Sequence, residues 1–191
     1  MNRTKKIVCG AITAATLLLF SISPAFAYTL TGQHIGENLW YRPYVEFTSE
    51  SREAMRQAMS TWNQHLPEGQ RACFENINHY LTSYPSNDGL SRVYKTHLGG
   101  SNYVAQNTWW YNTSTGAISS SDIDINANYS WWNGAHEGCY DVQSVVLHEI
   151  GHSVGLSHSN NYSAVMYRYS YTNTLKRALT QDDINGVNAI Y

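Results

Sequence analysis

Cysteine, proline and charged residues are all scarce in this chain. Its 191 residues include 3 cysteines and 4 prolines, 14% of them are charged, and the formal net charge is −2. No two cysteines have the short spacing of a cysteine zinc site, and the sequence after the basic start has no run of basic residues, which argues against a nucleic-acid partner. No apolar run reaches the roughly 20 residues that a membrane-spanning helix needs. The composition therefore favours one ordinary globular domain.

The first 27 residues have the pattern of an export signal. A basic start precedes a mostly apolar stretch over 7–20, and small residues surround a cleavage site after Ala27. This pattern predicts a secreted, extracellular protein with a domain over 28–191 and no membrane attachment after cleavage. The alternative is that the apolar stretch remains as a membrane anchor.

Two cysteines, Cys73 and Cys139, remain in the domain. In an exported protein, two such residues are expected to form a disulfide. The bridge would close a loop of about 65 residues and contribute roughly 4 kcal/mol on the chain-entropy model, less any strain. The alternative is two separate free thiols.

The alternation of apolar and polar residues predicts an α+β domain with one mixed sheet. Helical spacing covers 50–66, and a second helix follows Asp141 as its cap. Thr180 and Asp183 form the capping box of the last helix. The predicted strands are 41–47, 72–77, 90–96, 103–111 and 117–126.

One stretch near the end of the chain carries the chemistry. His148 and His152 are four residues apart, so on a helix they lie on the same face, one turn apart. Glu149 follows the first of them and can reach a water on a shared ion. Gly155 lets the chain leave the helix, and a turn there would bring back His158 as a third nitrogen ligand. Three protein ligands and one water form the pattern of a catalytic zinc.

The same stretch resembles the zinc-binding motif of the metzincin peptidases, and among them that of the matrixin catalytic domain, of the secreted bacterial type. Residues 148–159 match the form H-E-x-G-H-x-x-G-L-x-H-S, 164–167 resemble the Met-turn, and 179–191 resemble the closing helix. The resemblance implies a metzincin fold. This fold has a twisted mixed sheet of about five strands with an edge strand along the cleft, an active-site helix, and a C-terminal helix after the Met-turn.

The resemblance also implies a role for each matching residue. His148, His152 and His158 would bind one zinc ion, and Met166 would lie beneath it without binding it. Glu149 would act as general base and then as general acid on a zinc-bound water. Removal of Glu149 should therefore leave metal binding intact and lower the rate by orders of magnitude.

The same resemblance locates the substrate. An extended peptide would add a strand to the sheet edge, at Val104 and Ala105. The main specificity pocket would be walled by Tyr167, Arg168 and Tyr169, with Arg168 where the family usually has proline. Ordinary surface packing is the alternative role of these tyrosines.

Three features depart from the family pattern. There is no room for an inhibitory propeptide, so the new N-terminus at Tyr28 could pair with Asp182 or Asp183 directly. The scattered histidines do not match the family's structural zinc site. The family's calcium sites have only weak candidates here: Asp88, Asp122 and Asp124.

The sequence thus predicts a monomeric zinc-dependent endopeptidase that hydrolyses extended peptide or protein substrates. One alternative is a zinc-containing binding or toxin-like module with very narrow or no proteolytic activity, which would hold a partner with its aromatic loops. A zinc hydrolase of non-peptide substrates is the third. The presence of Glu149 argues against loss of catalysis, and the Met-turn and closing helix favour a peptidase.

Overall fold

The computed structural model describes residues 27–99 and 102–191. The helices of these ranges are α1 (Ser49–Asn63), α2 (Val142–Val154) and α3 (Gln181–Asn188). The strands are β1 (Thr29–Leu30), β2 (His34–Ile35), β3 (Leu39–Pro43), β4 (Ala72–Phe74), β5 (Ser91–Thr96), β6 (Ala105–Tyr111), β7 (Ala117–Asn126), β8 (Trp131–Trp132), β9 (Tyr140–Asp141) and β10 (Leu156–Ser157). Apart from Ala27, the expected signal segment lies outside the described residues. None of the helices in the described ranges is long and apolar enough to cross a membrane.

Six strands form one sheet. Five of them follow the order β2-β7-β5-β3-β4, and the sixth, β6, pairs with the edge of β7 that faces away from β2 and β5. Neighbouring strands are parallel except for β6, which runs antiparallel to β7. The strands β1 and β10 form a small antiparallel pair, and β8 and β9 form a small parallel pair. The predicted α+β fold with a mixed sheet is therefore confirmed, with six strands where about five were expected.

The helices α1 and α2 pack against each other and enclose the core with the sheet. Trp62 of α1 is fully buried, and its indole N–H donates to the carbonyl oxygen of Leu147 in α2 at 2.7 Å. Ile150 of α2 and Ile123 of β7 are fully buried in the same apolar cluster. Because each such side chain contributes about 1.5–3 kcal/mol on burial, the core holds the backbone of α2 firmly in place.

Side-chain chemistry explains where α2 begins and ends. Asp141 caps the first turn by accepting the Ser144 N–H at 3.0 Å, and its carboxylate also pairs with Arg177 at 2.6 Å. Gly155 ends the helix with a φ of 112°, a conformation that glycine adopts at little cost. A Cβ at this position would also collide with the carbonyl oxygen of Gln33. The sharp turn after the helix therefore requires glycine.

The predicted disulfide between Cys73 and Cys139 is not formed, since both residues are free thiols. Cys73 lies on β4, the edge strand that pairs only with β3. Cys139 lies in the loop before β9, whose partner β8 is not part of the main sheet. The structure therefore does not show the expected bridge, and each cysteine lies in or beside a different sheet.

The segment 28–40, in which the sequence predicts no strand, contains two short strands and the start of a third. Thr29 and Leu30 pair with Ser157 and Leu156, and His34 pairs with Ala117. These partners are more than 80 residues away in the sequence, so no local alternation indicated the strands.

Candidate metal centre

Three histidines converge at one point on the surface of α2. The ring centroids of His148 and His152 are 4.9 Å apart, and His158 lies 5.3 Å and 5.0 Å from them. One nitrogen from each ring lies within 4.8 Å of the others. Among the described residues, no other group of three or more His, Cys, Asp or Glu side chains lies close enough to share an ion. The turn at Gly155 thus brings the third imidazole back to the helix, as the spacing predicted.

Backbone carbonyls fix the orientation of two of these rings. Nδ1 of His148 lies 2.8 Å from the carbonyl oxygen of Val165, and Nδ1 of His152 lies 2.8 Å from that of Leu156. With the proton on Nδ1, the lone pair of Nε2 in each ring is available to a metal ion. Burial lowers the pKa of His148 to about 3 and that of His152 to about 4, and nearby histidines add to both effects. These neutral imidazoles fit a zinc ion.

Glu149 is an acid in an apolar environment. Its residue is 6% exposed, and burial raises its pKa to about 8. A carboxyl group with a pKa in this range can accept and release a proton near neutral pH. Glu149 directly follows His148, one of the three grouped histidines, so it lies beside them in the chain.

Met166 lies directly against the turn of α2 that carries the histidines. It is 1% exposed, and a Cβ on Gly151 would collide with its sulfur atom. The backbone N–H groups of Val165 and Met166 donate to the carboxylate of Asp183 at 3.0 and 3.1 Å. The sequence identified Asp183 only as part of a capping box, and its second role depends on a contact between distant segments.

The edge strand β6 lies beside α2. Asn107 donates from its amide nitrogen to the carbonyl oxygen of Glu149 at 2.5 Å and to Ser153 at 2.8 Å. The rings of Trp109 and His152 are nearly parallel, with an angle of 19° and centroids 6.3 Å apart. Both β6 residues were missed as site residues, although they alternate on one face of the strand, which a period of two would have shown.

The predicted substrate residues Val104 and Ala105 lie at the beginning of this strand. Ala105 is the first residue of β6, and the carbonyl oxygen of Val104 accepts the Asn126 N–H at 3.0 Å. They therefore mark where the edge strand begins, while Asn107 and Trp109 contact the helix beside the histidines.

A cavity of about 20 Å³ opens beside His148. Of the three residues predicted to wall the specificity pocket, Tyr167 and Tyr169 line this cavity, whereas the exposed Arg168 does not. The rest of the lining comes from one face of α2 and from the segment between the Met-turn and α3.

The N-terminal end of the described chain reaches α3. The backbone N–H groups of Ala27 and Tyr28 donate to Asp182 Oδ1 at 2.9 and 3.1 Å. The other oxygen of Asp182 accepts the hydroxyl of Ser159, the residue after His158, at 2.7 Å. Of the two aspartates considered as partners of Tyr28, the structure thus places Asp182 beside it.

The three aspartates considered for calcium each have protein partners. Asp88 pairs with Arg92 at 2.7 Å, Asp122 accepts the Ser86 N–H at 2.8 Å, and Asp124 accepts the Thr96 N–H at 2.9 Å. None of them belongs to a group of potential metal ligands in the described parts of the chain.

Known proteins resemble this chain over most of its length. The family model described as Matrixin matches residues 41–191. The chain is 27% identical to interstitial collagenase A of Mus musculus over 192 residues, covering all of the chain and 38% of the relative. It is 30% identical to metalloendoproteinase 1-MMP of Arabidopsis thaliana over 162 residues, covering 75% of the chain and 39% of the relative. It is 41% identical to neutrophil collagenase of Homo sapiens over 71 residues, which cover 37% of the chain and 15% of the relative.

Proposed function

The chain belongs to the matrixin family of zinc metalloendopeptidases, and on this premise we propose that it hydrolyses internal peptide bonds of extended protein substrates. It spans less than two fifths of the length of these curated relatives. The proposal therefore concerns the activity of the domain over 28–191. Its α+β fold is the metzincin fold.

The observation that carries the proposal is the convergence of three neutral imidazoles next to a buried carboxylic acid. His148, His152 and His158 would hold a zinc ion, leaving a position open to water and substrate. When bound, zinc lowers the pKa of a water molecule and polarises a carbonyl group. Glu149 follows the first histidine and is buried.

Glu149 would move the proton. As general base it would take a proton from the attacking water onto its carboxylate, and as general acid it would then deliver that proton to the nitrogen of the leaving amine. Burial raises its pKa, which supports the second step, in which the protonated form gives up its proton. The net reaction is the addition of one water molecule across the peptide bond.

The substrate would lie along β6. Among the described residues, this strand pairs only with β7, so its other edge can form backbone hydrogen bonds with an extended peptide. The alternating face of β6 that contacts α2 includes Asn107 and Trp109, next to the histidines. This arrangement supports a polypeptide as the substrate.

We also propose that the protein is exported and begins at Tyr28 after cleavage. The contact between the Tyr28 nitrogen and Asp182 supports this, because cleavage would turn that N–H into a cation beside a carboxylate. A monomer satisfies the proposal, since all of the proposed site residues come from one chain.

Zinc analysis combined with peptide cleavage tests the proposed function. We expect about one zinc per chain in protein beginning at Tyr28, and internal cleavage of unfolded protein substrates. Glu149→Gln should retain the zinc and lose activity by at least about 10³-fold, because it removes the proton carrier and leaves the imidazoles in place. Equal activity of the variant would contradict the mechanism. Bound zinc without cleavage of any substrate would favour a binding module.

A further inference from the structure

An amide on the inner face of β6 links this edge strand to α2. Asn107 lies on the face of β6 that points to the core, opposite the fully buried Ile123 of β7. Its amide nitrogen donates to the carbonyl oxygen of Glu149 at 2.5 Å and to the Ser153 hydroxyl at 2.8 Å. A polar group on an apolar face costs free energy unless its hydrogen bonds are made. The amide at this position is therefore explained by its partners in α2.

Hydroxyl groups complete the hydrogen bonds of this amide. The Ser121 hydroxyl donates to Asn107 Oδ1 at 2.7 Å and lies 2.8 Å from the Ser153 hydroxyl. The Tyr41 hydroxyl donates to Ser153 at 2.9 Å. Tyr41, Ser121 and Ser153 are fully buried. Because they belong to β3, β7 and α2, the network joins three further elements of the fold to Asn107.

One assignment of protons satisfies every member of this network. Ser121 gives its proton to Asn107, so the contact between the two serines must be a donation from Ser153. The Ser153 oxygen then accepts from Asn107 and from Tyr41, which uses both of its lone pairs. A reversed Asn107 amide would place its oxygen against the Glu149 carbonyl oxygen, where no bond can form. Because every donor has one acceptor, the network holds Asn107 in one position against α2.

A second side chain of the same face reaches a ring of the metal centre. Trp109 stands two residues after Asn107, and its ring stacks on that of His152 with centroids 6.3 Å apart. The strand thus contacts α2 at the backbone of Glu149 and at the ring of His152. Among the described strands, β6 pairs only with β7, which leaves its other edge open. The strand therefore connects the metal centre to the edge proposed for the substrate.

We propose that Asn107 is a positioning residue, which fixes the distance between a bound peptide and the three-histidine centre. The inference rests on the proposed peptidase function and deepens it. A peptide added to β6 is held by that strand, whereas two of the three histidines belong to α2. Among the residues that the structure describes, only Asn107 forms side-chain hydrogen bonds from β6 to α2. Because misplacement of a reacting group by about 1 Å can lower a rate about 10²-fold, this link affects catalysis without touching the substrate.

Steady-state kinetics separate positioning from binding in zinc-loaded protein that begins at Tyr28. The substrate is a peptide selected from a library with the wild type. Asn107→Ala should lower kcat by at least about tenfold and change KM by less than about threefold, because the backbone of β6 still pairs with the peptide while its scissile carbonyl is misaligned.

Asn63→Ala is the matched control for this variant. The Asn63 amide also joins a helix to an edge strand, since it donates to the Ala72 carbonyl oxygen at 2.7 Å and accepts the Ala72 N–H at 3.1 Å. Neither of these bonds involves α2 or β6. Asn63→Ala should therefore lower the urea midpoint and leave kcat unchanged.

Two hydroxamates provide a measurement that does not depend on turnover. Acetohydroxamate contacts only the metal ion, whereas trialanine hydroxamate also extends along β6, so its affinity depends on the distance between the two. Asn107→Ala should bind acetohydroxamate as the wild type does and trialanine hydroxamate at least about tenfold more weakly. Ser153→Ala keeps the bond from Asn107 to the Glu149 carbonyl oxygen, so it should show a smaller loss in the same direction. Asn63→Ala should bind both ligands as the wild type does.

The outcomes separate the positioning role from the peptidase function. Equal loss of affinity for both hydroxamates would show that Asn107 supports the metal centre itself, and it would overturn the proposal. Unchanged kcat and binding in Asn107→Ala would also overturn it and leave the peptidase function intact. A loss confined to trialanine hydroxamate, in a protein that cleaves no peptide, would support the positioning role and contradict the peptidase function. If Asn107→Ala does not fold, unchanged trialanine hydroxamate binding in Ser153→Ala would overturn the proposal, and a selective loss would support it.

Discussion

The sulfur atom of Met166 lies against the backbone of Gly151, at a position that leaves no room for a Cβ atom. Gly151 stands between the two histidines of α2, and Met166 is held by its own N–H bond to Asp183. The glycine in the motif is therefore explained by packing, since its backbone must admit the methionine.

Gly151→Ala should destabilise the fold and weaken zinc binding. The added methyl group would collide with Met166 and with the fully buried Trp62, and overpacking of this kind costs about 1–3 kcal/mol. Urea unfolding and zinc titration would measure the two effects. Gly99→Ala serves as the control, because a Cβ there has no atom within 4 Å. The effect of the pair Gly151→Ala and Met166→Ala should be less than additive, and full additivity would refute the contact.

Asp182 should make activity sensitive to the chain start. If the protein begins at Tyr28, its α-amino group lies beside Asp182, which also accepts the hydroxyl of Ser159 next to His158. A protein with two extra residues before Tyr28 should be less active and melt at a lower temperature. Asp182→Asn should lower the activity of the protein that begins at Tyr28. It should also remove most of the difference in activity between that protein and the extended one. Equal activity of both forms of the wild type would contradict this coupling.

The pair of Arg177 and Asp141 should stabilise the protein above acidic pH. Burial opposes ionisation of Asp141, but hydrogen bonds from Arg177 and Ser144 outweigh it and lower the pKa. The contribution is therefore present above the unfolded pKa of about 3.9 and disappears as the pH falls through the lower folded value. Arg177→Gln should cost about 2–3 kcal/mol at neutral pH and less in acid, by urea unfolding. Arg56→Gln, which breaks an exposed pair with Glu53, should cost much less.

Asp122 should have the opposite pH dependence. Burial raises its pKa to about 6, so the folded state binds the proton more tightly than the unfolded state. The contribution of Asp122 to stability is fully present below its unfolded pKa of about 3.9 and is lost as the pH rises through about 6. Asp122→Asn keeps an acceptor for the Ser86 N–H and removes this loss, so its urea midpoint should exceed that of the wild type at neutral pH and approach it in acid. A lower midpoint at neutral pH would contradict the assignment.

Asp88→Asn provides a comparison with the reverse sign. The hydrogen bond from Arg92 lowers the pKa of Asp88 to about 2, so this group stabilises the fold above its unfolded pKa and loses that effect in strong acid. The variant should therefore be slightly less stable than the wild type at neutral pH, and the small size of the effect follows from the exposure of Asp88.

Local patterns were sufficient for the helices and the longer strands. Asp141 and the capping box at Thr180 mark the starts of α2 and α3 as predicted, because a cap depends on residues three or four positions apart. The strand over 117–126 was also predicted with its observed bounds. In contrast, β3 was placed at 41–47 but covers Leu39–Pro43, since its ends are set by pairing with β4 and β5.

The motif identified the three histidines and Gly155, but it did not identify the residues that hold them in place. Asn107 and Asp183 reach the site from β6 and α3, through contacts between segments that are far apart in the chain. The cavity beside His148 likewise depends on Lys176 and on the rings around Tyr167, whose arrangement no spacing rule gives. The sequence motif thus identified the three histidines and Glu149, while tertiary contacts determine their surroundings.

Contacts between the two ends of the domain, such as the pairing of β1 with β10, determine when the three-histidine centre can form during synthesis. The Thr31 hydroxyl donates to the Gly155 carbonyl oxygen across 124 positions, and the Tyr28 nitrogen donates to Asp182 across 154. A ribosome makes the first member of each pair long before the second, and such distant contacts form late in folding. The loop with His158 therefore lacks its neighbours until the final helix has been synthesised. We expect a nascent chain without its final helix to bind zinc weakly and to be inactive. Zinc capture on pulse-labelled, stalled chains of increasing length would measure this.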